Sequence, residues 1–156
     1  MISLLLNMIL IMMLITNNNR IDDAISSHTF QVQTDLLELE SAIRYQMDQN
    51  WQDDNVVLEK MEDIKEELNS FMKIGQTLGR LTKEQERELS ILYNYVSKYP
   101  DYTGVPNTVL SSADRKKLEV LASNLLKAGW GMNIGYSGDW DSFSENLNKL
   151  LKQSTH

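Results

Sequence analysis

The chain has 156 residues, with 22 Asp and Glu against 15 Lys and Arg, a formal net charge of −7 and no cysteine. The missing thiols exclude disulfides, thiolate metal sites and a cysteine nucleophile. The acidic balance speaks against a bare phosphate backbone or an anionic membrane surface as partner.

Two prolines and seven glycines, in a chain rich in Glu, Leu, Lys, Gln and Met, predict an all-α fold. The expected architecture is an up-down helical bundle of about four to five helices, preceded by a hydrophobic N-terminal helix. Residues 1–20 read as a signal or membrane-anchor segment and residues 21–156 as the bundle domain.

The N-terminal segment is apolar from Met1 to Ile15 apart from Ser3 and Asn7. Ile2, Leu5, Ile9, Met12 and Ile15 mark its length, and a polar break follows from Thr16 to Arg20. As a helix this run is about 24 Å long, short of the roughly 30 Å of a bilayer's hydrocarbon. Three readings fit it: the apolar region of a secretory signal, a short uncleaved anchor, or a core helix. It lacks the Lys or Arg that opens a signal, and the small-x-small site at Ala24-Ile25-Ser26 lies far downstream. A run that is apolar on all sides favours the membrane-directed readings, because a bundle helix shows one polar face. By analogy with signal-type segments, the domain is expected outside the cytoplasm. The flanking charges give almost no asymmetry on which to orient it.

Within the domain, Ile21, Ile25, Val32, Leu36, Leu39, Ile43, Met47 and Trp51 recur at helical spacings and predict one stripe of a long first helix, with Asp35, Glu38, Arg44 and Asp48 turned away from it. Gln52-Asp53-Asp54-Asn55 is a break rich in capping residues. A second stripe at Val57, Met61, Ile64, Leu68, Phe71 and Met72 then implies an antiparallel hairpin. Gly75 to Gly79 is expected to end that helix. Thr82-Lys83-Glu84-Gln85 spells a capping box for a third, which carries Leu89, Leu92, Tyr93, Val96 and Tyr99 and stops before Pro100. Ser111 or Ser112 caps a fourth helix with Leu118, Leu121, Ala122 and Leu125 inward, closed by Gly129. Asp139 caps a last, shorter helix that turns Trp140, Phe143, Leu147, Leu150 and Leu151 inward. No stretch shows convincing strand periodicity.

The polar residues spell no recognised chemistry. Neither His28 nor His156 sits in the Glu-x-x-His spacing of a di-iron bundle, and no Gly-x-Ser-x-Gly elbow occurs. The glycines from Gly129 to Gly135 miss the dinucleotide spacing and have no preceding strand. The carboxylates of the second and third helices read as a solvated face, and His28 as a satisfied, partly buried histidine. Arg115-Lys116-Lys117 is the one basic run. It reads as a solvated face or as a modest patch for an acidic partner. No catalytic, metal or cofactor residue is assigned.

The most unusual stretch runs from Gly129 to Trp140, with four of the seven glycines, two of the three tryptophans and Tyr136. Trp130, Tyr136 and Trp140 could form an aromatic platform for a partner, since Trp and Tyr dominate binding hot spots. The reading the residue types favour is that Trp130, Ile134 and Trp140 fold inward and plug the bundle end. A second loop with Tyr99 and Tyr102 would extend the platform if both loops share one end.

The resulting expectation is an extracytoplasmic helical interaction module, membrane-tethered or secreted, with a protein partner, no nucleic acid and no evident catalytic activity. The alternative is a cytoplasmic adaptor or an oligomeric structural protein in which the stripe from Ile25 to Met47 pairs between chains. A carboxylate-only glycan hydrolase would need two carboxylates about 5–10 Å apart across a cleft, and no pair stands out.

Overall fold

The computed structural model describes residues 2–102, 104, 109–132 and 137–153. These form five helices in chain order: α1 (Ile2–Asp48), α2 (Asp54–Leu78), α3 (Lys83–Val96), α4 (Ser112–Ala128) and α5 (Trp140–Gln153), with no strand among the described residues. The all-α bundle is thus observed.

The expected N-terminal helix is not set apart from the bundle. α1 is continuous for 47 residues and passes straight through the polar break at Thr16 to Arg20. Neither Gly nor Pro occurs before Gly75, so nothing in this stretch breaks a helix. Its threonines turn their hydroxyls back onto the helix, Thr16 to the Met12 carbonyl at 2.9 Å and Thr29 to that of Ile25 at 2.8 Å. Among the described residues no helix is long and apolar enough to cross a membrane. Met12 is 62% exposed and Ile15 55%, while the side chains of Ile2, Leu5 and Ile9 lie outside the described residues.

α1 is the central helix. It packs against α2, α4 and α5, α3 bridges α2 to α5, and α5 packs on α4, so the five helices close around one core. Val32, Leu36, Leu39 and Ile43 are fully buried there, with Leu58, Met61, Ile64, Leu68 and Phe71 from α2 and Leu118, Leu121 and Leu125 from α4. The part of the predicted stripe from Val32 to Ile43 therefore packs within the chain. Because helices cover α1 on several sides, its buried arc is wider than that stripe and takes in Gln33, Asp35, Glu40 and Gln46. Asp35 is thus buried where the sequence pattern turned it outward. Met47 is exposed because α1 ends one residue later.

The helix ends follow local chemistry. Asp53 caps α2 by accepting from the Asn55 amide, and the turn before it holds Asn50 and Trp51 at φ +55° and +57°. That left-handed turn is clamped from Gln46, whose carbonyl accepts from the Trp51 amide at 2.7 Å and whose side-chain oxygen accepts from the Asp53 amide at 3.0 Å. α2 ends within the expected stretch from Gly75 to Gly79. It continues to a left-handed Gly79, and Gly75 lies buried under Leu81, whose Cδ1 would be 2.1 Å from any added Cβ. The capping box Thr82/Gln85 opens α3 as expected, Ser111 caps α4, and Gly129 closes α4 at φ +117°. Asp139 accepts from the Ser142 amide at 2.8 Å, at the start of α5.

Candidate functional site

The loop that joins α4 to α5 is built from the inside. Trp130 follows the left-handed Gly129, sends its amide back to the Leu125 carbonyl at 3.0 Å, and is fully buried against Phe143. Its indole N–H points at the Gln33 side-chain oxygen at 3.4 Å, and the Gln33 amide donates to the Ser137 carbonyl at 2.6 Å. Gln33 thereby ties both sides of the loop to α1. Gly138 lies directly on α1, where a Cβ would meet the Ser26 carbonyl oxygen at 2.8 Å, and the Ser26 hydroxyl donates to the Gly138 carbonyl at 3.2 Å.

Trp140 is half-buried between Phe71 and Phe143, and its indole N–H donates to Glu88 at 2.8 Å. The other oxygen of that buried carboxylate accepts from the Ser144 hydroxyl at 2.5 Å. A buried carboxylate needs such donors to offset its lost hydration.

The two tryptophans thus dock the loop and do not form an exposed platform. Ile134 and Tyr136 lie outside the described residues. Tyr99 and Tyr102 are partly buried against the core, and Tyr99 donates to the Tyr95 hydroxyl at 3.4 Å. Asp101, between them, bridges Lys65 of α2 at 2.6 Å, and their loop returns at Leu110, whose amide donates to Asp54 at the start of α2, whereas the α4–α5 loop rests on Ser26 and Gln33 of α1. The two loops are therefore anchored on different helices.

What the structure does expose beside the α4–α5 loop is Met132, 71% exposed, in a hollow of about 470 Å³ shared with Tyr45, at 59%, and Leu126. Glu40, Arg44 and Asp48 rim it, and Glu40 is ion-paired with Arg44. An apolar surface with a polar rim is the anatomy of a contact face, and methionine adapts to irregular partners. Sequence periodicity missed this face, because Tyr45 fell off the apolar stripe and Met132 sat in a glycine loop of no period.

A second feature lies between α1 and α2, a hollow of about 640 Å³ lined by Asp35, Glu38, Lys60, Asp63, Glu66 and Glu67. Lys60 bridges Glu38 at 2.8 Å and Asp63 at 3.0 Å, and both contacts push its pKa up. Above them His28 stacks on Phe71, with centroids 5.2 Å apart, and its Nδ1 lies 2.6 Å from Glu67. The satisfied, partly buried His28 is therefore observed. The carboxylates read as a uniformly solvated face instead divide, with several turned into the α1–α2 seam. Among the described residues no group of three His or carboxylate side chains is placed to hold a metal ion.

Burial pushes the Asp35 carboxyl up from 3.8 to about 6. The nearby charges of Glu67, Glu38 and Asp63 add to the rise, against a hydrogen bond from Gln31 that opposes it. The native chain then holds a proton that the unfolded chain releases between these values. The stabilisation is fully present below pH 3.8 and is lost as pH rises through about 6. Asp35→Asn, which keeps an acceptor for Gln31, is expected to raise the unfolding free energy at pH 7.5 by about 1–3 kcal/mol after discounting for the water in the open groove. It should also remove this fall from the curve of stability against pH. Urea titrations between pH 4 and 7.5 measure both effects, and an equal slope in the two proteins would reject the assignment.

No protein-family model, curated protein or solved structure matches the chain.

Proposed function

We propose that the chain is an extracytoplasmic helical interaction module, secreted or held at a membrane by its N-terminal segment, that acts by binding a protein partner. The observation that carries this reading is the apolar run from Met1 to Ile15 at the far end of α1, with Met12 and Ile15 facing solvent. Among the described side chains of α1 the buried ones begin at Thr29, about 20 Å further along the helix from Ile15 at 1.5 Å per residue. Apolar area left in water costs about 25 cal/mol per Å², so such a run gains by entering a lipid phase or a translocation machinery. Its length, short of a full span, suits a signal region or an anchor lying in the interface.

The Tyr45–Leu126–Met132 face supports the binding half of the reading, since tyrosine and methionine offer large contact area at a polar-rimmed surface. A C-terminally tagged full chain tests the location. Protease added to intact cells is expected to remove the tag while a cytosolic control survives. The pair Ile9→Lys and Met12→Lys is expected to leave the chain in the cytosol, because each charge costs about 3 kcal/mol in an apolar segment. Survival of the wild-type tag until lysis overturns the proposal.

A further inference from the structure

The one basic run of the sequence has a partner that its spacing does not show. Lys98, just beyond the end of α3, is brought beside Lys116 and Lys117 of α4, and the three surround a hollow of about 410 Å³ walled by Tyr99 and Val120. We propose that this hollow binds a soluble organic anion, a phosphate or carboxylate group carried on an apolar body.

Charge and shape both support this. Lys116 and Lys117 sit near the N-terminus of α4, the end where cations oppose the helix dipole and an anion is favoured. Arg115, beside them, is already committed to Asp54 at 2.8 Å. Lys116 and Lys117 are themselves exposed and pair only with half-buried carboxylates one turn away, Glu119 at 3.1 Å and Asp114 at 3.2 Å. Such pairs contribute little, so both ammonium groups can turn to a ligand at small cost. Lys98 has no carboxylate partner among the described residues and lies 5.8 Å from the centroid of the Tyr95 ring. Between the three charges the surface is apolar. Val120 is 49% exposed and the Tyr99 ring forms the facing wall. Inorganic phosphate would use the charges and waste that wall, whereas an anion with a short apolar body uses both. The volume lies in the usual range for small-molecule sites.

The position in the fold selects a soluble source. The hollow is at the end of the bundle where Arg115 meets Asp54, whereas the apolar run leaves by the other end. Ile15 and Asp48 are about 50 Å apart along α1 at 1.5 Å per residue. A headgroup of the membrane that holds the N-terminus is out of reach. This choice of source rests on the function proposed above; the site itself does not.

Isothermal titration of the full chain with octyl phosphate tests the site in solution, so its failure is separate from any failure of the cellular location. Octyl phosphate is expected to bind more tightly than inorganic phosphate, and uncharged octyl glucoside not to compete. Lys98→Gln and Lys117→Gln are each expected to weaken octyl phosphate binding about tenfold, the effect of one charge-assisted hydrogen bond, with Tm unchanged. Val120→Asp should weaken it by a similar factor, while Lys149→Gln on α5 should leave it unchanged. Octyl phosphate binding no tighter than inorganic phosphate, or indifferent to both lysine substitutions, overturns the proposal. So does lysine-dependent binding to phosphatidylglycerol vesicles without binding of octyl phosphate.

Discussion

Trp130→Ala will lower the unfolding free energy by about 3–5 kcal/mol, the upper range for truncating a buried side chain. Trp130 is fully buried and heads the largest such side chains of the core. Its removal opens a cavity against Phe143 and leaves the Gln33 oxygen without its indole donor. Gln33 also holds Ser137, so the truncation loosens both ends of the α4–α5 loop and with them the wall that carries Met132. Trp130→Phe separates packing from hydrogen bonding. It keeps most of the ring volume and should cost about 1 kcal/mol for the lost polar contact plus a smaller packing defect. Urea unfolding followed by circular dichroism gives both values. A loss below about 1 kcal/mol for the alanine variant would mean that the indole is not seated in the core.

The buried tryptophan marks where the sequence can be read and where it cannot. Helix number, order and most ends follow from local rules, and each rule acts within a few residues. Gln85 meets Thr82, Gly129 supplies a left-handed residue, and Leu118, Leu121 and Leu125 repeat at helical spacing. Polarity from Thr16 to Arg20 suggested a boundary, yet a first helix running directly out of the hydrophobic segment was also readable, because the backbone there has no reason to break. The stretch from Gly75 to Gly79 ends α2 as read, at the left-handed Gly79, while Gly75 makes room for Leu81, a contact that is tertiary.

The surface was the least legible part. Whether Trp130 faces solvent or Gln33 depends on a partner 97 residues away in sequence. Glu88 looked like one more exposed acid of α3 until Trp140 and Ser144 arrived on it from α5. The groove at Tyr45 and Met132, and the approach of Lys98 to Lys117, likewise join residues from distant helices, and no period in the chain encodes them. Loop composition correctly flagged the stretch from Gly129 to Trp140 as unusual. Gly129, Gly138 and both tryptophans serve close docking onto α1 and α5.

The same distinction yields the second large effect, at the other end of the bundle. Asp54 is buried at the first turn of α2, and one carboxylate holds two pieces of chain. It accepts from the Arg115 guanidinium at 3.2 and 2.8 Å and from the Leu110 amide at 2.8 Å. The guanidinium carbon in turn lies 5.7 Å from the centroid of the Trp51 ring, on the residue held at φ +57°. Asp54→Ala therefore removes more than an ion pair. It strands a half-buried guanidinium, leaves the Leu110 amide without its acceptor, and frees the end of the loop that leads into α4.

A broken buried pair costs about 3–5 kcal/mol, and partial exposure of Arg115 reduces the expectation for Asp54→Ala to about 2–4 kcal/mol. Arg115→Met should cost less, because Asp54 keeps the Leu110 amide and the aliphatic stem still covers Trp51. In the double variant the stranded cation is gone, so the two losses will not add, and the coupling measures the pair itself. Hydrogen exchange at Leu110 provides the decisive readout. The amide should lose protection in Asp54→Ala and retain it in Arg115→Met. Equal protection in both would show that the carboxylate does not hold the loop. Since Lys116 and Lys117 follow Arg115 directly, loss of this anchor should also loosen the wall of the anion hollow, linking the buried carboxylate to ligand affinity at the surface.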